Sequence, residues 1–323
     1  MVEYSVAIRT LGKSGDRLKK ELCSIYKQTI RPKKVLLYIA EGYKLPDFRI
    51  EDEEYVYVKK GMVAQRAIDY KEIQTEWILL LDDDVFMAEN CVETLYKELN
   101  EQQGDCIAAD VFRPHEDNLK TKIYNYITNF SYPRKDDEWA FKVLDNASFS
   151  YNGNPYKSAY HSQSAAGPIS LWRKGALLRI HYPDELWLDR MGFAFGDDQL
   201  MFQKLYKNGF RLLVSYDSGA VHMDAKSSSS LFQESNDKYY RRAKAMFLLW
   251  YRSCYDLNNL NGWQKKRILV SFSVKQIEQL LVHLVFAILS ANFRVVTDFI
   301  KGNMDGYKEA KKIFRTIPNF ILS

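Results

Sequence analysis

Five apolar residues in a row, Trp77-Ile78-Leu79-Leu80-Leu81, run straight into three aspartates, Asp82, Asp83 and Asp84. A run this short and this apolar reads as a strand buried on both faces, as in a parallel sheet covered by helices. Ligands of open α/β sheets bind at the carboxyl ends of the strands, which is where the three carboxylates stand. Adjacent carboxylates repel one another unless a cation or hydrogen-bond donors compensate them. A hard divalent ion such as Mg2+ fits, because it uses one or two protein carboxylates and takes its other ligands from water and phosphate oxygens. Alternation along extended chain turns Asp82 and Asp84 one way and Asp83 the other. The bland alternative is a solvated acidic turn with Asp84 capping the next helix.

The flanking sequence repeats the strand-then-helix rhythm. Tyr4 to Ile8 reads as a strand, and Asp16 as the cap of a helix carrying Leu18, Leu22, Ile25 and Tyr26 at helical spacing. Lys34 to Ile39 and Tyr55 to Val58 read as strands, Ala64 to Ile73 as a helix, and Ala88 to Asn100 as another. Residues 113 to 164 are polar and show no firm elements. Ile169 to Trp172 reads as a strand, Asp198 to Asn208 as a helix stopped by Gly209, and Phe210 to Val214 as a strand. Strands alternating with helices predict a doubly wound α/β sheet. From about Tyr239 onward the period is helical. These patterns predict a catalytic domain over 1–240 and a helical C-terminal region over 241–323.

Composition limits the alternatives. The chain has 323 residues, 46% apolar and 27% charged, with 15 Gly and 8 Pro, which excludes the disordered and low-complexity classes. The net charge of +5 is mild, so nucleic acid is not an expected partner. Cys23, Cys91, Cys106 and Cys254 form no CxxC pair and suit a reducing compartment. Glu3 and Arg9 fall where a signal peptide needs an apolar run. The most apolar late stretch, Leu280 to Phe293, is too short to span a bilayer. A cytoplasmic protein is therefore expected.

Two further features carry chemistry. Gly196-Asp197-Asp198 opens a helix, whose dipole and free amides keep a carboxylate such as Asp198 ionised. It reads either as a general base toward a hydroxyl or as an ordinary cap. His222 follows a strand and turn, and reads either as a ligand or as a surface residue. Aromatic residues gather before Asp198, with Trp187 and Phe193 within a dozen positions of it. Their rings suit a sugar face or plain packing.

Taken in order, seven segments resemble an inverting nucleotide-sugar glycosyltransferase of the GT-A fold, glycosyltransferase family two. They are Ser5 to Thr10 (SVAIRT), Ser24 and Gln28 (SIYKQT), and Leu36 to Gly42 (LLYIAEG). Gly61 to Arg66 (GMVAQR), WILLLDDDVF, GDDQLMFQKLYKNGF and Ala220-Val221-His222 follow, so the likeness spans about residues 4 to 224. It implies a GT-A (Rossmann-like) mixed sheet flanked by helices, with a C-terminal helical extension. It implies Asp84 and His222 as ligands of Mn2+ or Mg2+, and Thr10, Glu41, Arg66, Asp82 and Asp83 on the donor side. Asp198 would be the general base of a hexosyl transfer, with Asp197, Trp187 and Phe193 near the acceptor. The chain departs from the family at Arg9 (usually Pro), Ala40 (usually Asp), Ala67 (usually Asn) and Asp197 (usually Glu).

The expected partners are a nucleotide-sugar donor and a glycan or lipid-linked glycan acceptor, as in building a cell-envelope polysaccharide. The basic and apolar C-terminal helices add an anionic membrane surface at the inner face of the cell membrane. A sugar-phosphate nucleotidyltransferase would show a glycine- and basic-rich phosphate loop, of which Leu11 to Gly15 is only a faint likeness. A non-catalytic carbohydrate-binding protein of the same fold is the other alternative.

Overall fold

The computed structural model describes residues 2–111, 132–191, 196–223 and 237–322, together with 119, 123, 126 and 127. Among these, eight strands make the main sheet, in the order β10-β12-β6-β11-β4-β1-β2-β3. Four of them run parallel, β4 (Trp77–Asp82), β1 (Tyr4–Thr10), β2 (Val35–Ala40) and, at one edge, β3 (Glu54–Val58). On the far side of β4, β11 (Ile169–Arg173) is antiparallel to β4 and to β6 (Cys106–Ala109). Beyond β6 lie β12 (Leu212–Ser215), parallel to it, and the edge strand β10 (Ala159–Ser162). The expected mixed α/β sheet is therefore present.

Strict alternation divides the core in two. Val6, Ile8, Leu37, Leu79, Leu81 and Leu171 face α1 (Asp16–Tyr26) and α2 (Cys91–Glu101). Ala7, Leu36, Ile78, Leu80 and Trp172 face the other layer. That layer holds α3 (Lys174–Arg179), the 3-10 helix Tyr182–Met191 and α4 (Asp197–Lys207). Also in it are parts of the C-terminal helices, with Leu248, Leu249, Phe314 and Phe320 in the same apolar cluster. The spans 1–240 and 241–323 thus share one core. Their helices are α5 (Lys238–Trp250, continuing as a π-turn through Tyr255), α6 (Gly262–Ser290) and α7 (Arg294–Ile313).

Several expectations are corrected. Residues 64–73 form a chain of turns, not a helix, because their groups are claimed by distant partners described below. Gly15, with φ 50°, occupies the N-cap of α1, and Asp16 is already helical. The polar middle contains a small sheet, β7 (Tyr132–Arg134), β9 (Phe149–Asn152) and β8 (Phe141–Val143), too short and polar to show a period. Between Asp84 and α2 lies β5 (Val85–Met87), which pairs antiparallel with β13 (Ala220–His222). Finally, α6 is long and apolar enough to cross a membrane, because its helix begins at Gly262, well before Leu280. Gly209 does end α4, at φ 84°.

Phe314 ties the C-terminal helices to the sheet layer, with its ring edge-on to Trp187 and stacked on Tyr251. Phe314→Ala is expected to cost about 3–5 kcal/mol and to lower a single unfolding transition in denaturant. A second, separate transition would contradict the shared core.

Candidate functional site

The site lies at the carboxyl ends of β1 and β4. Parallel register sets Arg9 beside Asp82, and the two form a bidentate ion pair whose Nη2–Oδ2 arm is 3.0 Å. Arg66 reaches in from the turns after β3. Its Nη1 donates to Asp197 Oδ2 at 2.9 Å and Asp198 Oδ1 at 2.8 Å. Its Nη2 donates to Asp82 Oδ1 and the Gly167 carbonyl, both at 3.2 Å. Arg9 Nη1 also lies 3.4 Å from Asp197. Two guanidiniums therefore join three carboxylates drawn from β4 and α4. Arg66 was expected to meet the donor, but only 4% of its side chain is exposed and its donors are turned onto protein groups.

The turns carrying Arg66 are pinned from elsewhere. Asp189, in the 3-10 helix, accepts from the Val63 and Ala64 amides at 2.9 and 3.0 Å. Gln65 donates to the Thr10 and Tyr38 carbonyls. These demands exceed what a local helix offers, which is why the periodicity of 64–73 misleads. Nothing in the sequence around Asp189 signals its role.

Asp198 is the most open of the paired carboxylates, with its side chain 30% exposed. It does not cap its own helix. Its Oδ2 accepts from the Gly167 amide at 3.0 Å. A Cβ at Gly167 would fall 2.6 Å from Asp198 Cγ and 2.8 Å from Arg66 Nη2, so only glycine permits this approach. Burial disfavours the ionised form of Asp198, but Arg66 and Arg9 outweigh it and hold the carboxyl well below the usual range. Asp197 is pushed the other way. Burial first, then the charge of Asp198, raise it to about 6 against the pull of Arg66 and Arg9. The pair thus carries one tightly held negative charge and one proton that leaves near neutrality.

A second pair stands close by in sequence. The β5–β13 ribbon sets His222 opposite Val85, and the Met223 amide donates to the Asp84 carbonyl at 2.8 Å. His222 Nε2 and Asp84 Oδ1 face each other at 3.1 Å. Asp84 is 5% exposed, which excludes a solvated acidic turn. A carboxylate oxygen and an imidazole nitrogen suit Mn2+ or Mg2+ when a diphosphate and water supply the remaining ligands. Among the described residues no group of three or more His, Cys, Asp and Glu side chains is arranged to hold a metal ion. Asp82 is committed to the arginines. Asp83 accepts from the Thr10 hydroxyl, and burial raises its pKa. Behind them Glu21 is fully buried, pushed up by burial and then by the charge of Asp83, and it faces the Val85 amide.

The outer candidates fare differently. Glu41 is exposed at the end of β2. Asp197 is 5% exposed and belongs to the arginine cluster instead of an acceptor surface. Trp187 is 3% exposed, packs on Phe314 and donates to Glu185, so its ring is core and not a cleft wall. Phe193 lies outside the described residues. Glu185 is a residue that sequence reasoning missed. It is fully buried and bound by Arg252 at 2.7 and 3.0 Å and by Lys204 at 2.9 Å. This links the 3-10 helix, the π-turn after α5, and α4. Burial opposes its ionisation, but Arg252 and Lys204 prevail and lower its pKa.

No protein-family model matches the chain. Over 199 residues, 58% of its length, it is 26% identical to glycosyltransferase GlyA of Streptococcus pneumoniae, and it spans 26% of that relative's length. Among solved structures it is similar to S. aureus TarS 1–349, with a TM-score of 0.46 and 14% identity over 97% of this chain and 91% of that one. It is also similar to mannosyltransferase PcManGT of Pyrobaculum calidifontis in complex with GDP-Man and Mn2+, with a TM-score of 0.48 and 13% identity over 96% and 87%. Such low TM-scores give these two likenesses no bearing on function.

Gly167→Ala is expected to force Asp198 and Arg66 apart and to cost about 1–3 kcal/mol in denaturant unfolding. A neutral result would contradict the close packing. For Asp197 the folded protein holds the proton more tightly than the unfolded chain. Its stabilising share is complete below the ordinary aspartate value and lost as pH rises through about 6. Relative to Asp197→Asn, the wild type should lose stability between about pH 4 and pH 7. A flat difference over that range would show that Asp197 is not the titrating group.

Proposed function

We propose that the chain is a metal-dependent, inverting glycosyltransferase of the GT-A type. It would move a sugar from a nucleotide diphosphate to a hydroxyl of a glycan or lipid-linked glycan. The observation that supports this reading is Arg66 joining Asp198, a partly open carboxylate, to Asp82, two residues before the Asp84 that faces His222. The sequence likeness to GlyA supports it, as do the ordered family-two segments.

In this reading Asp84 and His222 hold Mn2+ or Mg2+. When bound, the cation stabilises the charge that develops on the departing diphosphate. Thr10 fixes Asp83 for the donor, and Glu41, beside Ala40, offers the carboxylate that the family usually places one residue earlier. Asp198 accepts the acceptor's hydroxyl proton on the sugar face opposite the leaving group. The hydroxyl oxygen bonds to the anomeric carbon as the bond to phosphate breaks, giving its proton to Asp198 as it does so, and the configuration inverts. The weak basicity imposed by Arg66 suits a proton taken late, when the attacking oxygen has become acidic. Arg9 and Arg66 touch no substrate in this scheme; they position Asp198, Asp197 and Asp82.

Asp198→Asn is expected to reduce sugar transfer by at least about a hundredfold while leaving nucleotide binding intact. Retained turnover would remove Asp198 as the base. A melting-temperature panel of nucleoside diphosphates, with and without Mn2+, tests the donor side. One base should raise the Tm in proportion to the logarithm of its concentration, and only with the cation. Absence of any shift in wild type, or an undiminished shift in Asp84→Asn, would refute the metal-bound donor.

A further inference from the structure

The C-terminal helix α6 is held to the protein along one side and bare on the other. Phe272 stacks on Trp250 at 3.7 Å, Arg267 pairs with Asp145 at 2.8 Å, and Lys275 donates to the Asn146 carbonyl at 3.1 Å. Further along, Gln279 donates to the Ile127 carbonyl, His283 stacks on Phe299 and Ala287 is buried. The outer side carries Val270, Val274, Ile277, Leu281, Leu284 and Ile288, each 40–62% exposed. Toward its C-terminal end the bare surface widens, with Val285 at 57%, Phe286 at 46% and Leu289 at 81% exposed off that line. Ile127, whose carbonyl accepts from Gln279, is 39% exposed, and Leu119 and Ile123, at spacings of four before it, are 74% and 50% exposed. Water does not reward an apolar surface of this breadth, so it has an occupant.

Charge and width identify the occupant. Lys266 is exposed at the start of the band with Trp263, 73% exposed, and Arg294, still 63% exposed in its pair with Asp298, follows its end beside the exposed Phe293. Cations and an amphipathic ring at the margins of an apolar band match a bilayer, with acyl chains beneath the band and anionic headgroups at its rim. A coiled-coil seam with a second copy would need only the narrow two-in-seven stripe from Val270 to Ile288, and would leave Val285, Phe286 and Leu289 uncovered. Spanning would require α6 to abandon its contacts from Arg267 to Ala287 and bury Lys275 in lipid. We infer that the outer face of α6, together with Leu119, Ile123 and Ile127, lies flat in the surface of an anionic membrane.

This surface is separate from the strand-end site, so the inference can fail while the transferase reading stands, and the reverse. If both hold, a lipid-linked acceptor reaches the enzyme at the bilayer on which it rests. The test is flotation of the full chain with vesicles of phosphatidylcholine containing phosphatidylglycerol, compared with phosphatidylcholine alone. Wild type should bind the anionic vesicles and prefer them. Ile277→Glu/Ile288→Glu should lower binding at least about tenfold with an unchanged Tm and unchanged metal-dependent nucleotide binding. Undiminished binding by the double variant would overturn the proposal. So would a wild type that ignores vesicles and forms a dimer that the same variant dissolves. Retention in cell membranes after an alkaline carbonate wash would also overturn it, in favour of a spanning helix.

Discussion

Everything at the strand ends depends on two guanidiniums among carboxylates. Asp82, Asp197 and Asp198 come from segments more than a hundred residues apart, and all are drawn against Arg66. Without that cation, buried like charges would neutralise themselves by taking up protons. With it, the burden is shared unevenly. Asp198, held by Arg66 and the Gly167 amide, stays ionised, while Asp197 accepts a raised proton affinity. Such divergence between neighbouring acids is how a site assigns one of them to proton transfer. Arg9 completes the arrangement by bringing a second positive charge from β1 to Asp82 and Asp197.

The surrounding fold exists to keep that arrangement rigid. Asp189 holds the turns that present Arg66, and Glu185 braces α4 through Lys204 and the C-terminal segment through Arg252. Because a buried ion pair that loses one partner costs about 3–5 kcal/mol, these struts resist displacement. The C-terminal helices therefore do two things. Their inner residues extend the core beneath α4, and the outer side of α6 is exposed.

Much of this was legible from residue order. Short, nearly continuous apolar runs in β1, β2, β4 and β11, and the apolar spacing of α1, α2 and α4, mark the sheet and its helices because those elements bury one face or two in the usual way. The three aspartates, Asp198 and His222 were also visible as unusual chemistry at element ends. What stayed hidden depends on distant partners. Arg9 looked like a mere departure, since its use requires the β1–β4 register. Residues 64–73 looked helical, since their amides and side chains answer to Asp189, Thr10 and Tyr38. Three-residue β5 has too little length for a period, yet it sets His222 against Asp84. For Trp187 the sequence leaves a sugar face and plain packing both open, because an aromatic ring in sequence does not say which way it faces.

The account stands or falls on Asp84 and His222 meeting a donor that Asp198 can address from across the sugar. Crystals grown with Mn2+ and the nucleotide sugar selected by binding would show this through the anomalous signal of manganese. The account requires the peak between the Asp84 carboxylate and the His222 imidazole, with the donor's anomeric carbon open toward Asp198. A peak at other residues, or a sugar whose anomeric carbon turns away from Asp198, would contradict it.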